Sequence, residues 1–102
     1  MILYNVTVAI DPSVEEAWLN WMRTVHIPDV MATNCFIESR FSKVQSEEEG
    51  SSYAITYLCP TLELLEKYRT QFAPKLQKEH AEKFNGYFAA FRTLLDVIEE
   101  FK

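Results

Sequence analysis

The feature that most constrains the fold is the order of strand-like and helix-like hydrophobic patterns along the chain. Alternation with period two occurs at 1–10, 36–44, 53–58 and 87–101, and helical spacing occurs at 13–26 and 61–84. Period two is typical of half-buried strands, and steps of three and four residues are typical of amphipathic helices. We therefore predict one α+β domain over residues 1–102 with a ferredoxin-like βαββαβ order. Its antiparallel four-stranded sheet carries both helical regions on one face.

Local signals indicate where the helices begin and end. Ser13 followed by Glu16 has the spacing of a capping box for a helix that runs to about His26, and Pro28 predicts that this helix stops or kinks there. Thr61 can cap the second helical region. The polar stretch 46–51 contains a glycine and predicts the turn of a hairpin between the second and third strands.

The last segment, Tyr87 to Phe101, fits two interpretations. Its apolar residues also recur with helical spacing, and periodicity alone does not separate the two. We predict a strand because a split βαβ sheet needs a fourth strand. The short exit after Gly86 also suits a turn from helix to strand.

Composition and charge narrow the classes of partner. The net charge of -5 and the pI near 5.0 oppose nucleic-acid binding, which requires a clustered basic face. No apolar run is long enough to span a bilayer, and the N-terminus lacks the basic start of a signal peptide. We therefore expect a cytoplasmic protein with neither a nucleic-acid nor a membrane partner.

The strand faces differ in polarity, which predicts a homodimer. The apolar register, which we place under the helices, contains Val6, Val8, Ile55, Phe91, Leu95 and Val97. The mixed register, which we predict to be the open face, contains Leu3, Asn5, Thr7, Phe36, Glu38, Arg40, Thr56, Leu58, Phe88, Arg92, Leu94, Asp96 and Ile98. A face that is half apolar and half charged suits neither water nor a dry core. We expect it to pair with a second subunit and to enclose a central cavity lined by polar groups.

Three segments carry a resemblance to a known family. The run Trp18–Met31, preceded by Met1–Thr7 and followed by Phe91–Leu95, resembles the bacterial family called domain of unknown function 4286 over nearly the whole chain. That resemblance implies no activity. The His26-Ile27-Pro28 segment also resembles the H-x-P segment of EthD-type members of the dimeric α/β-barrel superfamily. This superfamily includes antibiotic-biosynthesis monooxygenases, haem-degrading monooxygenases, lactone isomerases and non-catalytic stress-responsive barrels, and the resemblance implies a dimer.

The same superfamily provides a comparison for haem chemistry. Its haem-degrading members use an asparagine on the first strand, a tryptophan on a later strand and a helical histidine. Asn5 and His80 occupy comparable elements, but the third strand carries Tyr53 and Tyr57, and both tryptophans lie in the first helix. Haem cleavage is therefore disfavoured. Two histidines without a neighbouring carboxylate pattern also predict no metal site, and we expect no cofactor.

The remaining candidate residues each have a structural and a functional interpretation. His26 and His80 could exchange a proton with a ligand. Alternatively, His26 could stabilise the end of its helix, and His80 could be a structural core residue. Arg40 and Arg92 could grip a carboxylate or phosphate, or they could pair with Glu38 and Asp96 at the dimer interface. The candidate ligand-binding residues are Asn5, Trp21, Arg40, Tyr57 and Arg92.

Two classes of function remain open. The first is a small-molecule site in a dimeric barrel, which would bind an anionic or carbonyl-bearing ligand without a metal and could be an enzyme. The second is a non-catalytic dimerisation or interaction module whose polar sheet face only specifies pairing. The absence of a known catalytic spacing favours the second, whereas two arginines within strands favour the first.

Overall fold

Four strands form one antiparallel sheet, as predicted. The computed structural model describes residues 1–45 and 51–102, and its strands are β1 (Ile2–Ile10), β2 (Glu38–Lys43), β3 (Ser51–Cys59) and β4 (Phe88–Asp96). The strand order is β2-β3-β1-β4. The predicted ferredoxin-like fold is confirmed. Of the predicted hairpin turn at 46–51, residues 46–50 lie outside the described residues, and Ser51 begins β3.

The first helical region follows β1. A 3₁₀ turn at Pro12–Val14 leads into α1 (Glu15–Trp21), then into a π-helical segment at Met22–His26, and then into α2 (Ile27–Met31).

The start of this region differs from the prediction. The Ser13 N–H donates to the Asp11 carboxylate at 2.8 Å, and the residue that precedes α1, Val14, makes no side-chain capping bond. The predicted capping box of Ser13 and Glu16 is therefore wrong. Asp11 begins the region because its short carboxylate reaches the free Ser13 N–H of the 3₁₀ turn.

Pro28 does not end the first helical region, so the end predicted at about His26 is wrong. The Ile27 N–H donates to the Met22 carbonyl, five residues earlier. Proline has no N–H, and in a regular α-helix its ring clashes with the carbonyl four residues before it. The π-helical turn contains one extra residue and is wider, so Pro28 fits and the helix continues to Met31.

The second helical region has the same arrangement, with a π-helical segment just before a proline. It consists of α3 (Leu62–Lys67), a π-helical segment at Tyr68–Phe72, and α4 (Ala73–Lys83), whose second residue is Pro74. The Ala73 N–H donates to the Tyr68 carbonyl, again five residues earlier. Thr61 caps α3 as expected, because its hydroxyl accepts the Leu64 N–H at 3.2 Å. Each π-helical segment thus ends just before the turn that contains a proline.

The core lies between the helices and one face of the sheet. Even-numbered residues of β1 and odd-numbered residues of β3 point toward the helices and are mostly buried. Trp18 and Leu65, both 0% exposed, pack onto this face from the two helical regions. The buried sheet residues on this face are Ile2, Tyr4, Val8, Ile10, Tyr53, Ile55, Tyr57 and Cys59.

The predicted faces of β4 are reversed. Val6 of β1 lies opposite Ile55 of β3 on one side and Arg92 of β4 on the other, so all three share the helix face. Hence Phe88, Arg92, Leu94 and Asp96 also lie toward the helices, while Phe91 and Leu95 lie on the open face. The prediction that β4 extends to Phe101 is also wrong, because the strand ends at Asp96.

The open face has a polar row between two more apolar rows. β1, β3 and the residues Glu38 and Arg40 of β2 follow the predicted assignment. The placement of Phe36 on the open face is wrong, because Phe36 precedes β2, is 5% exposed and packs against Tyr4, Tyr57 and Tyr68 on the helix side. The polar row consists of Arg40, Thr56, Asn5 and Thr93, which lie opposite one another on the four strands. The flanking rows are Glu38, Leu58, Leu3 and Leu95 on one side, and Ser42, Ala54, Thr7 and Phe91 on the other.

None of the described helices is long and apolar enough to cross a bilayer.

Helix α3 offers a matched test of the core. Leu65 is 0% exposed and Leu62 is 62% exposed in the same helix. We expect Leu65→Ala to lower the free energy of unfolding by about 2–5 kcal/mol through lost burial and a new cavity. Leu62→Ala should change it by less than about 0.5 kcal/mol. Urea unfolding followed by circular dichroism measures both, and equal effects would contradict this helix orientation.

Candidate functional site

A cavity of about 250 Å³ lies between the helical regions and the sheet. Its sheet side is formed by β1, β3 and β4, and its helix side by the two π-helical segments and α4. It therefore lies on the opposite side of the sheet from the open face. The apolar part of its lining consists of Val6, Val8, Met22, Ile55, Ala81, Phe88 and Ala90.

The polar lining contains bases and donors but no carboxylate among the described residues. Arg92 supplies its one permanent charge, in a chain whose net charge is -5. An anion that enters the cavity thus meets a cation without facing an aspartate or glutamate there. The polar lining residues are Tyr4, His26, Tyr57, Tyr68, Gln77, His80 and Arg92.

Arg92 lies at the mouth of the cavity. Its Nε–H donates to the Tyr4 hydroxyl at 3.0 Å, which aims the guanidinium along the helix side of the sheet. Tyr4, Gln77 and Arg92 also line an adjoining surface groove that includes Arg69 and Leu94. Arg92 is exposed, and within residues 1–45 and 51–102 it makes no ion pair with Glu38 or Asp96.

The structure therefore contradicts a pairing of Arg92 with Glu38 or Asp96 within the chain, whereas its pairing with a bound anion stays a prediction. Glu38 lies on the opposite face of the sheet, and its strand β2 is separated from β4 by β3 and β1. The guanidinium NH₂ groups have no partner among the described residues, so they can bind an anion at two points.

A tyrosine cluster closes one end of the cavity. The Tyr4 ring centre lies 5.7 Å from that of Tyr68 and 6.2 Å from that of Tyr57, and Phe36 packs against all three. Burial raises the pKa of Tyr57 and of Tyr68, and the neighbouring tyrosines add to both shifts. These two phenols are therefore neutral hydrogen-bonding groups rather than anions.

His80 is held inside the core by an indole. The Trp18 Nε1–H donates to His80 Nε2 at 2.9 Å. The ring of Phe88 packs edge-on at 4.4 Å between centres, and the imidazole is 8% exposed. Burial, followed by the nearby His26 and Arg92, lowers the pKa of His80 from 6.5 to about 4. The ring is neutral at pH 7.

His26 lies at the end of the first π-helical segment and also reaches the cavity. Its ring stacks on Trp21 with centres 5.2 Å apart, and its centre is 5.6 Å from that of His80. Its Nδ1 is buried and has no hydrogen-bond partner in the described parts of the chain. Burial, followed by the Arg92 charge, lowers the pKa of His26 from 6.5 to about 4. His26 is thus a neutral base with an unused nitrogen.

The site predicted from the sequence is divided between the two faces of the sheet. The cavity brings together His26, His80, Tyr57 and Arg92. Asn5 and Arg40 lie in the polar row of the open face, where the Asn5 amide donates to Thr7 at 3.1 Å. Trp21 packs against His26 and does not line the cavity.

Sequence reasoning missed three polar lining residues: Tyr4, Tyr68 and Gln77. The signal available for Tyr4 was a phenol on the buried register of a strand, where its hydroxyl needs a partner. Within the described residues, no group of three histidine, cysteine or acidic side chains is placed to hold a metal ion.

Sequence comparison identifies the family. The model of the family described as Domain of unknown function (DUF4286) matches residues 1–98. The chain belongs to this family. No curated protein matches the sequence.

Comparison with solved structures shows the same fold in distant proteins. A dimeric ferredoxin-like protein from an uncultured marine organism has a TM-score of 0.79 at 10% identity, covering 98% of this chain and 97% of that one. An EthD family protein from Bacillus halodurans has a TM-score of 0.68 at 11% identity, with coverage of 96% and 100%. SnoaB, a cofactor-independent oxygenase from Streptomyces nogalater, has a TM-score of 0.66 at 10% identity, with coverage of 97% and 94%.

The two cavity histidines predict that stability depends on pH. Their folded pKa values of about 4 lie below the usual 6.5 that applies to the unfolded chain. Between these values the unfolded chain binds protons that the folded protein does not, so the free energy of unfolding falls as the pH falls. We expect a loss of roughly 1–2 kcal/mol per histidine between pH 7 and pH 5.

Urea unfolding at both pH values measures this loss. The His26→Gln variant has one such group fewer and should lose less stability over the same interval. An identical pH dependence in the variant and the wild type would show that His26 titrates normally in the folded protein.

Proposed function

We propose that the cavity binds a compact small molecule through an anionic or carbonyl oxygen held at Arg92. The observation that supports this most strongly is the cavity lining itself, in which one guanidinium stands among neutral bases and donors. Its volume of about 250 Å³ is just below the roughly 300–1,000 Å³ of drug-sized pockets, which favours a ligand with few heavy atoms.

The electrostatics favour an anion over a neutral ligand. The Arg92 guanidinium carries its charge at any physiological pH and can hold a carboxylate, phosphate or enolate at two points. Charge-assisted hydrogen bonds contribute about 1.5–3 kcal/mol each, roughly twice a neutral bond. Tyr57 and Tyr68 supply apolar ring surface beside this point, so a flat organic acid suits the lining better than a hydrated inorganic ion.

His26 gives the cavity a route to proton transfer. His26 lines the cavity as a neutral imidazole, and its buried Nδ1 has no partner among the described residues, so the ring could accept a proton from a bound substrate with an acidic C–H or O–H. The oxyanion that forms would be stabilised by Arg92. SnoaB shares the fold and is a cofactor-independent oxygenase, which is consistent with chemistry that needs neither metal nor cofactor.

We also propose that two copies pair through the open sheet face. The polar row flanked by apolar rows leaves Phe91 62% and Leu95 48% exposed in the single chain. The marine neighbour is a dimeric ferredoxin-like protein, which supports the same assembly here. A pairing module without a ligand is the second candidate function, and this face is the observation that favours it.

Ligand binding is tested with benzoate, and benzamide serves as the neutral carbonyl analogue. We expect wild-type protein to bind benzoate more tightly than benzamide in titrations followed by NMR or calorimetry. Arg92→Gln should weaken benzoate binding roughly 10–100-fold, because the charge-assisted bonds are lost. Arg23→Gln removes an equal charge from an exposed position and should leave the affinity unchanged.

Failure of wild-type protein to bind benzoate, or equal losses in the two arginine variants, would contradict the anion site. Tighter binding of benzamide than of benzoate would assign the cavity to carbonyl ligands instead.

Dimerisation is tested with two residues of equal exposure. Phe91 on the open face and Leu62 on α3 are both 62% exposed in the single chain. A stable interface buries about 1,200–2,000 Å², and a glutamate at its centre leaves a charge unpaired. We expect Phe91→Glu to give a monomer in light scattering at micromolar concentration and Leu62→Glu to remain dimeric. A wild-type monomer would refute the assembly.

A further inference from the structure

The bond from Trp18 determines which nitrogen of His80 carries the proton. An indole N–H can only donate, so His80 Nε2 must be the acceptor in the 2.9 Å contact and cannot itself carry hydrogen. A neutral imidazole has one N–H, which must then be on Nδ1. A second proton on Nε2 would place two donors against each other, in a core where Trp18 is fully buried.

The other nitrogen of His80 remains available to a ligand. His80 lines the cavity, and its Nδ1 makes no hydrogen bond with any described residue. The titratable and charged groups that share this space are His26 from the first helical region, Arg92 from β4 and the tyrosines at 4, 57 and 68. The donors of His80 and Arg92 therefore open into one cavity that contains no described carboxylate.

His26 differs from His80 because no described hydrogen bond fixes the position of its proton. Its closest aromatic neighbour, Trp21, stacks on the ring face instead of donating to a ring nitrogen. No described group fixes the proton of its buried Nδ1. His26 can therefore change its protonation at Nδ1, whereas His80 cannot do so at Nε2 without breaking the bond to Trp18.

We propose that Trp18 is a positioning residue that holds His80 as a permanent Nδ1–H donor to the anionic oxygen bound at Arg92, which leaves His26 as the proton acceptor of the cavity. This rests on the proposed function, because it assigns the ligand oxygen to the anion site described above. The ligand class that follows is an organic acid or enolate whose oxygen accepts from both Arg92 and His80. A ligand with an acidic C–H next to a carbonyl transfers that proton to His26, which becomes an imidazolium, and the electron pair of the broken C–H bond moves onto the carbonyl oxygen to give an enolate held by Arg92 and His80.

The tautomer is tested first in the unaltered protein. Protein labelled with ¹⁵N at histidine is studied by long-range ¹H–¹⁵N correlation NMR at pH 7.5 and pH 5.5. We expect His80 to show a protonated Nδ1 and an unprotonated Nε2 at both pH values. A spectrum with the proton on Nε2, or with both nitrogens protonated at pH 5.5, would overturn the proposal without any variant.

Two tryptophan variants separate the hydrogen bond from packing. Trp18→Phe keeps an aromatic ring and removes the donor, so His80 should then exchange between its two neutral forms. Trp21→Phe is the matched control: its ring centre is 5.8 Å from that of His80, but it donates no hydrogen bond to it, so the His80 tautomer should not change. The same tautomer in wild type and Trp18→Phe would overturn the positioning role.

Benzoate then tests the donor role. We expect the His80 Nδ1–H signal of wild-type protein to shift as benzoate is added. We also expect Trp18→Phe to bind benzoate roughly threefold more weakly, because only part of its His80 population presents the donor. Benzoate binding that depends on Arg92 but leaves the His80 signal unmoved would overturn the donor role alone. Absence of benzoate binding would remove the proposed function and the donor role together, while the tautomer is decided by its own spectrum.

Discussion

The hydrogen bond from Trp18 to His80 joins the two helical regions inside the core. The indole ring packs against Tyr53 and Phe41 of the sheet, with centres 5.1 and 5.6 Å away, and donates to the helical region on its other side. Leaving a buried polar group without its partner costs about 1–3 kcal/mol. Any shift of one helical region relative to the other would break this bond, so one contact sets both the packing and the position of His80 in the cavity.

The cavity is polar without containing a deeply buried charge. Burial lowers the pKa of both histidines and raises the pKa of Tyr57 and Tyr68, so these groups remain neutral and avoid the large cost of a buried ion. Arg92 carries the charge from an exposed strand, where water still reaches it, and only its Nε is held by Tyr4. An anion could therefore replace water at the guanidinium without a prior ion pair having to break.

The sequence predicts the order of elements because strand and helix periods are local properties of the chain. It does not predict the first π-helical segment, because a proline two residues after His26 is a normal helix-ending signal. The predicted assignment of the two faces of β4 is wrong for a different reason. We placed the apolar Phe91 and Leu95 under the helices and the charged Arg92 outside, as a dry core would require.

Apolar residues normally face the helices and charged residues face outward. At the positions that line a polar cavity between helices and sheet, this rule is reversed. For the same reason the sequence does not indicate Tyr4 and Tyr68 as cavity-lining residues, since aromatic residues on a buried register resemble ordinary core residues. His26, His80, Tyr57 and Arg92 could be named as candidates from residue type and position. Their assembly around one cavity depends on the pairing register of β1 with β4, which no local pattern specifies.

Strand β4 contributes to both surfaces to which we assign a function. Phe91 and Arg92 are consecutive, so they project to opposite faces of the sheet, one toward the proposed partner and the other toward the cavity. In the single chain β4 is an edge strand that pairs only with β1. A second copy packed on Phe91 would restrain this backbone. Ordering a long side chain for binding costs about 0.5–1.5 kcal/mol, and a restrained backbone leaves Arg92 less freedom to lose. If the open faces pair and the cavity binds an anion as proposed, the two events are coupled through one pair of adjacent residues, although the two surfaces share no side chain.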